Sequence, residues 1–535
     1  VTRLNPILLI IVLLASTLSV SAILGLYIAR MISYELQPLE RPLARLERKL
    51  SKILGLGEVH EMTWREYFTA LLITNLIAAA LVFCVLVLQG IMFGHEGFSI
   101  DLAFHTATSF ITNTDLQHYN GEELSSFSQM IGITYAMFVA PASGICAAFA
   151  FIRSFVRKDF GLGNFYIDFV RIILTLLLPI AVVSSLLFIA LGVPQTLDTS
   201  VTVRTLEGDE RQIALGPVAS LGSIKQLGSN GGGFFGANSA HPFENPNGLT
   251  NLYSMFLMLV IPLSFPISYA SLLGRGRGLA ILITLLLGFA ALLIIALSAE
   301  SNPIGLETRF GNFGSIIFNV ASISTNTGAV NALLTAMSPN TIMSLLLAMF
   351  IQAMPGADGT GIMYIIVYII LTLFIVGLMV GKTPEFMSMK ISPRDIKLSV
   401  LIFLLHPILI LASTAISFMT GYAHTLLGDT TALSFTKVLY EYSSAAANNG
   451  SGYFGASANT PFWNISTAIV MLLGRYAPIG LMLAIAGSFT LKQRKEIVEP
   501  IKTQGALFII LLISIIFLLT ALTFFPFLAI GPWSL

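Results

Sequence analysis

Four short stretches of the 535-residue chain share a mixture of small hydroxyl side chains, asparagine and glycine. They read "SFITNTDLQ" (109–117), "LGSNGGGFF" (227–235), "SISTNTGAV" (322–330) and "AAANNGSGY" (445–453), centred on Asn113, Asn230, Asn326 and Asn449. What these residues offer is oxygen. A ring of backbone carbonyls can replace the hydration shell of an alkali cation. Glycine adopts φ > 0 cheaply, which lets successive carbonyls face one axis. Thr and Asn can add side-chain oxygens or brace the loop from behind. A lone Gly-Gly-Gly reads as a flexible turn, and a lone Thr-Asn-Thr means almost nothing. Four copies in one setting point to a filter.

That setting is the same each time. A segment of pore-helix size precedes each stretch: "DLAFHTATSF", "GPVASLGSIKQL", "FGNFGSIIFNVAS" and "FTKVLYEYSSAA". One long apolar span comes before each such segment and another follows. The pattern is span, half-helix, polar loop, span, four times over. Non-helical backbone at membrane depth is tolerated only where it is buried in protein or lines a water-filled cavity. Two registers fit the third copy. Matching asparagines pairs Asn326-Thr327 with Asn230-Gly231; matching glycines pairs Thr327-Gly328 with Asn230-Gly231 and Asn449-Gly450. The glycine register is favoured, because a position needing φ > 0 constrains glycine more than its polar neighbour.

The elements that must hold these loops are membrane helices. The chain is 55% hydrophobic and 10% charged, with mean hydropathy +0.85, against about 25% charged residues in soluble domains. A span needs about 20 mostly apolar residues. Ten such segments fall near 6–29, 68–93, 128–152, 166–192, 250–273, 279–298, 341–381, 398–420, 465–490 and 505–529. Placing both termini outside puts 21 of the 28 Lys and Arg residues on inner segments, as the positive-inside rule requires. The inner stretch "ELQPLERPLARLERKLSKILG" reads either as an amphipathic helix on the membrane surface or as a solvated charged loop. "SVSA" (19–22) resembles a signal-peptidase site, but the apolar run is long for a signal sequence, so a retained helix is expected. Cys84 and Cys146 lie inside apolar spans and imply no disulfide framework. The seven histidines are scattered, with no His-x-x-x-His pair, which argues against a metal enzyme. No acid/base cluster is expected to gather at one membrane depth.

Longer stretches carry a family likeness. "SNGGGFFGANSAHPFENP", "SSAAANNGSGYFGASANTPFWN", "GKTPEF" (381–386) and "LGPVAS" (215–220) resemble signatures of the KdpA family, the potassium-transporting A chains of prokaryotic Kdp P-type ATPase complexes. The likeness covers essentially the whole chain and separates it from the wider Trk/Ktr/HKT potassium transporters, which share the four span–pore–span units. It implies an all-α polytopic membrane protein of ten spans around one selectivity filter. Residues 1–30 and 499–535 would be the extra helices; 31–158, 159–274, 275–392 and 393–498 would be the four units. It further implies potassium at Thr112, Asn113 and Thr114, at Ser229, Asn230, Gly231 and Gly232, at Asn326, Thr327 and Gly328, and at Asn448, Asn449 and Gly450. Gln117 matches a family position associated with potassium binding. The third loop departs from the Ser-Cys-Gly form of some relatives.

Nothing in the chain is expected to hydrolyse ATP. No Asp-Lys-Thr-Gly phosphorylation motif is present, and "GLMVGKT" (377–383) has three residues between its glycines where a phosphate-binding loop needs four. The energy would come from the B subunit named by the resemblance, which would carry ATP and Mg²⁺. A C subunit and a small single-span F subunit would complete the assembly in a prokaryotic cell membrane, with lipid and no nucleic acid as further partners. Two features bear on the route of the ion. The seventh span is interrupted by "QAMPGADGTG" (352–361), whose Pro355, Gly356, Gly359 and Gly361 cannot sustain a helix, as at gates in transporters. Arg475 is the only cation of the ninth span, and such charges face a cavity or a partner. Two rival readings are a self-sufficient channel or cation-coupled carrier of the Trk/Ktr/HKT type, and a membrane enzyme.

Overall fold

The computed structural model describes residues 6–35, 61–92, 95–156, 161–299, 304–494 and 501–530. The inner amphipathic stretch falls almost wholly at 36–60 and so lies outside the described residues. In chain order the helices are α1 (Pro6–Ile32), α2 (Trp64–Met92), α3 (Ile100–Ile111), α4 (Ser128–Val156), α5 (Phe165–Ala190), α6 (Val218–Leu227), α7 (Gly248–Leu273) and α8 (Arg275–Leu297). There follow α9 (Gly311–Ser324), α10 (Pro339–Ile351), α11 (Thr360–Met379), α12 (Pro393–Met419), α13 (Ala432–Ala447), α14 (Pro461–Thr490) and α15 (Ala506–Ile530). Ten of them are long and apolar enough to cross a membrane; α3, α6, α9, α10 and α13 are shorter. The chain is thus an all-helical membrane protein with four span–half-helix–span units and one extra helix at each end. An exposed hairpin, β1 (Ser200–Arg204) with β2 (Glu210–Ala214), leads into α6.

Local chemistry fixes where these helices begin. Proline occupies the first turn of α10, α12 and α14, where its missing N–H costs nothing. Asn247 and Ser392 open α7 and α12 with reciprocal capping boxes. The short α3 and α13 are started by Ser99 and Thr431, which accept from the amides of Leu102 and Ser434.

Burial sorts the spans into two shells. In the spans that follow the polar loops (α4, α7, α11 and α14), 61% to 89% of the apolar stretch is buried. In those that precede them (α2, α5, α8 and α12) the range is 28% to 50%. The inner shell therefore surrounds the loops, and the outer shell presents its remaining apolar surface to lipid. The extra helices are docked outside this arrangement. α1 lies along α7: Ser21 Oγ donates to the Val260 carbonyl at 2.8 Å, and a Cβ on Gly25 would stand 2.6 Å from the Ser264 carbonyl oxygen. α15 packs on the third unit, with Phe524 stacked 3.6 Å from Phe350.

A buried ion pair ties the ends of α1, α2, α4 and α5 together. Arg153 at the end of α4 holds both carboxylate oxygens of Asp168 on α5, at 2.5 and 2.7 Å. Its Nε donates to the Ile32 carbonyl at the end of α1, and Tyr67 of α2 donates to Asp168. Removing one member of a buried pair leaves the other charge uncompensated, at a cost of about 3–5 kcal/mol. Asp168→Asn is therefore expected to lower the thermal unfolding midpoint in detergent markedly. An unchanged midpoint would show that this clamp contributes nothing.

Candidate ion-binding site

The four polar loops leave their half-helices by one repeated device. At the end of each half-helix one residue, Asn113, Ser229, Asn326 or Asn448, has left-handed backbone, with φ of +61°, +49°, +51° and +54°. The next amide then turns back to the helix. Thr114 N donates to Ser109 O, Asn230 N to Lys225 O, Thr327 N to Ser322 O and Asn449 N to Ser444 O, at 2.8–3.0 Å. This is the left-handed C-terminal cap of an ordinary helix, used four times. It satisfies the loop amides on the helix side and leaves the half-helix C-termini, with their partial negative charge, against the loops.

These bonds define the register. Thr114, Asn230, Thr327 and Asn449 are equivalent, and so are Asp115, Gly231, Gly328 and Gly450, all at positive φ. The third loop follows the glycine register. The asparagine match does not hold, because Asn113 and Asn326 sit one position earlier in the loop than Asn230 and Asn449. The sequence echo mixed two neighbouring positions at which asparagine serves different ends.

The loops meet in a ring. A Cβ on Gly231 would stand 1.7 Å from the Thr327 carbonyl oxygen, on Gly328 1.8 Å from that of Asn449, and on Gly450 1.9 Å from that of Thr114. Each glycine thus presses its Cα against the carbonyl of the next loop, passing from the second to the third, fourth and first. Side chains brace the ring from behind. Asn230 donates to the Met137 and Ile224 carbonyls, and Asn449 to the Ile323 carbonyl. Asn448 donates to Thr114 Oγ1 and to the Met471 carbonyl of α14. Thr112 pairs with Thr114, and Thr325 with Thr327, through hydroxyls 2.8 Å apart.

The junction of the first and second loops is stitched differently. Alternate side chains of the first loop engage backbone of the second: Asn113 donates to the Ser229 carbonyl at 2.6 Å, and Asp115 accepts from Gly232 N at 3.2 Å. Gln117 both donates to and accepts from Gly233. Gly232 and Gln117 thus extend the seam between the two loops beyond the ring.

The space beneath the ring is also occupied by named residues. Asn326, Asn448, Ala357, Thr360 and Arg475 line one small cavity, and Arg475 donates to the Ala140 carbonyl of α4 at 3.0 Å. The seventh span is two helices here: α10 ends at Gln352, which has left-handed backbone, and α11 starts at Thr360. The break is anchored to the filter scaffold, because Gly356 N donates to the Ser324 carbonyl at the end of α9. A Cβ on Gly359 would meet the Gly144 carbonyl at 2.5 Å, and Gly361 packs as tightly on Pro355. Gly359 and Arg475 thus meet the same residue, Gly144 of α4, where a Cβ would stand 2.9 Å from an Arg475 guanidinium nitrogen; Pro355 and Gly356 belong to the break, and Gly361 already lies in the first turn of α11.

Several polar residues escaped the sequence reading. Lys225 of α6 is fully buried and bound by Glu244 (2.6 Å) and Ser239 (3.0 Å). Lys225 also donates to Asn238, which in turn donates to the Gly231 carbonyl. The expected scatter of the histidines is also corrected. His105 and His118 stack at 3.9 Å, with His118 Nε2 3.9 Å from Glu441. They come from α3, the first loop and α13, and only the packing of the first half-helix beside the fourth unit brings them together. No group of three or more His, Cys, Asp or Glu able to hold a metal occurs among the described residues.

The family model for the potassium-transporting ATPase A subunit, KdpA, matches residues 10–534. The chain belongs to the KdpA family. It is 41% identical over 522 residues to the potassium-transporting ATPase potassium-binding subunit of Geobacillus kaustophilus, covering 93% of each chain. Its fold is similar to that of the potassium transporter TrkH from Vibrio parahaemolyticus, with a TM-score of 0.56 at 16% identity, covering 88% of this chain and 99% of that one.

The ring geometry makes a direct prediction for this KdpA chain. Gly231→Ala and Gly450→Ala place a methyl group into a backbone carbonyl that cannot yield. Each is expected to weaken binding of radioactive rubidium more than tenfold while the protein still folds. Binding unchanged in both would remove the ring from the site.

Proposed function

We propose that this chain is the potassium-binding and translocating subunit of a Kdp potassium-transporting ATPase. Potassium from outside would lose its water to the carbonyls of Thr114, Asn230, Thr327 and Asn449, with the αL residues and glycines of residues 112–114, 229–232, 326–328 and 448–450 holding those carbonyls in place. The observation that carries this reading is the ring itself, in which each loop's glycine abuts its neighbour's carbonyl. A weak-field oxygen cage of this kind suits a monovalent cation.

Hydrolysis of ATP belongs, in this account, to a partner. Membership of the KdpA family places the chain in a complex with other Kdp subunits; a P-type B subunit would bind ATP and Mg²⁺, with C and single-span F subunits beside it. The whole would sit in a prokaryotic cell membrane with both ends of this chain outside. Arg475 and the break at 352–359 would then act below the filter. A guanidinium on the ion's path repels cations moving inward, and the glycine-rich break gives that level a backbone able to rearrange.

Two measurements test this. Potassium-stimulated ATP hydrolysis by the assembled complex should be lost with the ring variants; potassium flux by this chain alone in vesicles, without ATP, would instead mark a self-sufficient channel. Arg475→Ala should alter potassium affinity or loosen the coupling of hydrolysis to transport. Both left intact would rule out a role for Arg475 on the ion's route.

A further inference from the structure

Position 115 breaks the fourfold pattern. Its counterparts are Gly231, Gly328 and Gly450, each in contact with a neighbouring carbonyl. Asp115 holds left-handed backbone (φ +58°) with a side chain attached, a state that costs an L-residue about 1 kcal/mol or more. The residue is 2% exposed. Its Oδ2 accepts from Gly232 N at 3.2 Å, and its Oδ1 has no hydrogen-bond partner among the described residues.

An ionised carboxylate buried in this way requires a counter-charge. The one cation whose charge acts on it, among the described residues, is Lys225. That ammonium is already neutralised by Glu244 at 2.6 Å, within a set of bonds to Asn238 and Ser239. Two carboxylates thus share one ammonium, and burial alone disfavours the second anion. The missing positive charge belongs next to Asp115, one residue from the Thr114 carbonyl, where the ring would hold its ion.

We propose that Asp115 sets the filter's affinity for monovalent cations, its carboxylate supplying a fixed negative charge that the bound ion compensates. The proposal rests on the reading of the ring as a cation filter. It separates charge from mere positioning, because Asp115→Asn keeps the size and the acceptor for Gly232 N and removes only the charge. A unit charge several ångströms from the ion, in surroundings of intermediate dielectric constant, changes affinity by roughly tenfold to a hundredfold.

The test is equilibrium binding of radioactive rubidium, competed with potassium, on the assembled complex carrying wild-type, Asp115→Asn or Asp115→Gly chains. A loss of about tenfold or more in both variants is expected. Wild-type affinity in Asp115→Asn overturns the proposal. Should Asp115→Asn fail to assemble, Asp115→Gly decides, since it restores the residue used by the other three loops; wild-type affinity there overturns the proposal equally. Absence of rubidium binding by the wild-type complex would instead overturn the filter reading itself.

Discussion

Backbone amides and carbonyls at membrane depth must find partners inside the protein, and the rest of this structure follows from how four loops meet that demand. Each loop returns its amide to the half-helix behind it, by bonds such as Thr114 N to Ser109 O and Asn449 N to Ser444 O. The carbonyls then have no amide of their own loop to bind, and three of them lie against the Cα of a glycine in the next loop. A glycine Cα–H is at most a weak hydrogen-bond donor, far short of an amide. In the function proposed above, a cation that prefers carbonyl oxygen would be the partner that completes the arrangement.

Everything outside the ring keeps it in register. The spans after the loops are the buried ones, α4 above all, because they carry the surfaces on which Asn230, Asn448 and Arg475 make their bonds. The fourfold pattern is also unequal by construction. The first and second loops are joined through the side chains of Asn113, Asp115 and Gln117, whereas at each other junction a glycine packs on a carbonyl, with Asn448 adding a bond to Thr114 Oγ1 between the fourth loop and the first. The third unit alone has a broken span, tied to its half-helix through Gly356 and Ser324.

Much of this was legible in the sequence because membrane helices write themselves in long apolar runs, and loops that interrupt them must be polar. Glycine spacing carried the register of the third loop, since φ > 0 is a backbone requirement that survives changes of neighbouring side chain. Asparagine spacing misled, because Asn113 ends a helix in left-handed backbone whereas Asn230, one position later in its loop, donates to the Met137 and Ile224 carbonyls behind it. Asp115 went unnoticed for a related reason: only the helix-capping bonds place it opposite three glycines. The meeting of His105, His118 and Glu441, and of Lys225 with Glu244, depends on packing between units or on a fold-back of the loop, and no local period encodes either.

The most direct test of the account is where a heavy monovalent ion sits. A structure of the complex with thallium or rubidium bound, located by its anomalous signal, should place the ion on the axis among the carbonyl oxygens of Thr114, Asn230, Thr327 and Asn449, beside Asp115. An ion found elsewhere, for instance against His105, His118 and Glu441 with nothing in the ring, would contradict it.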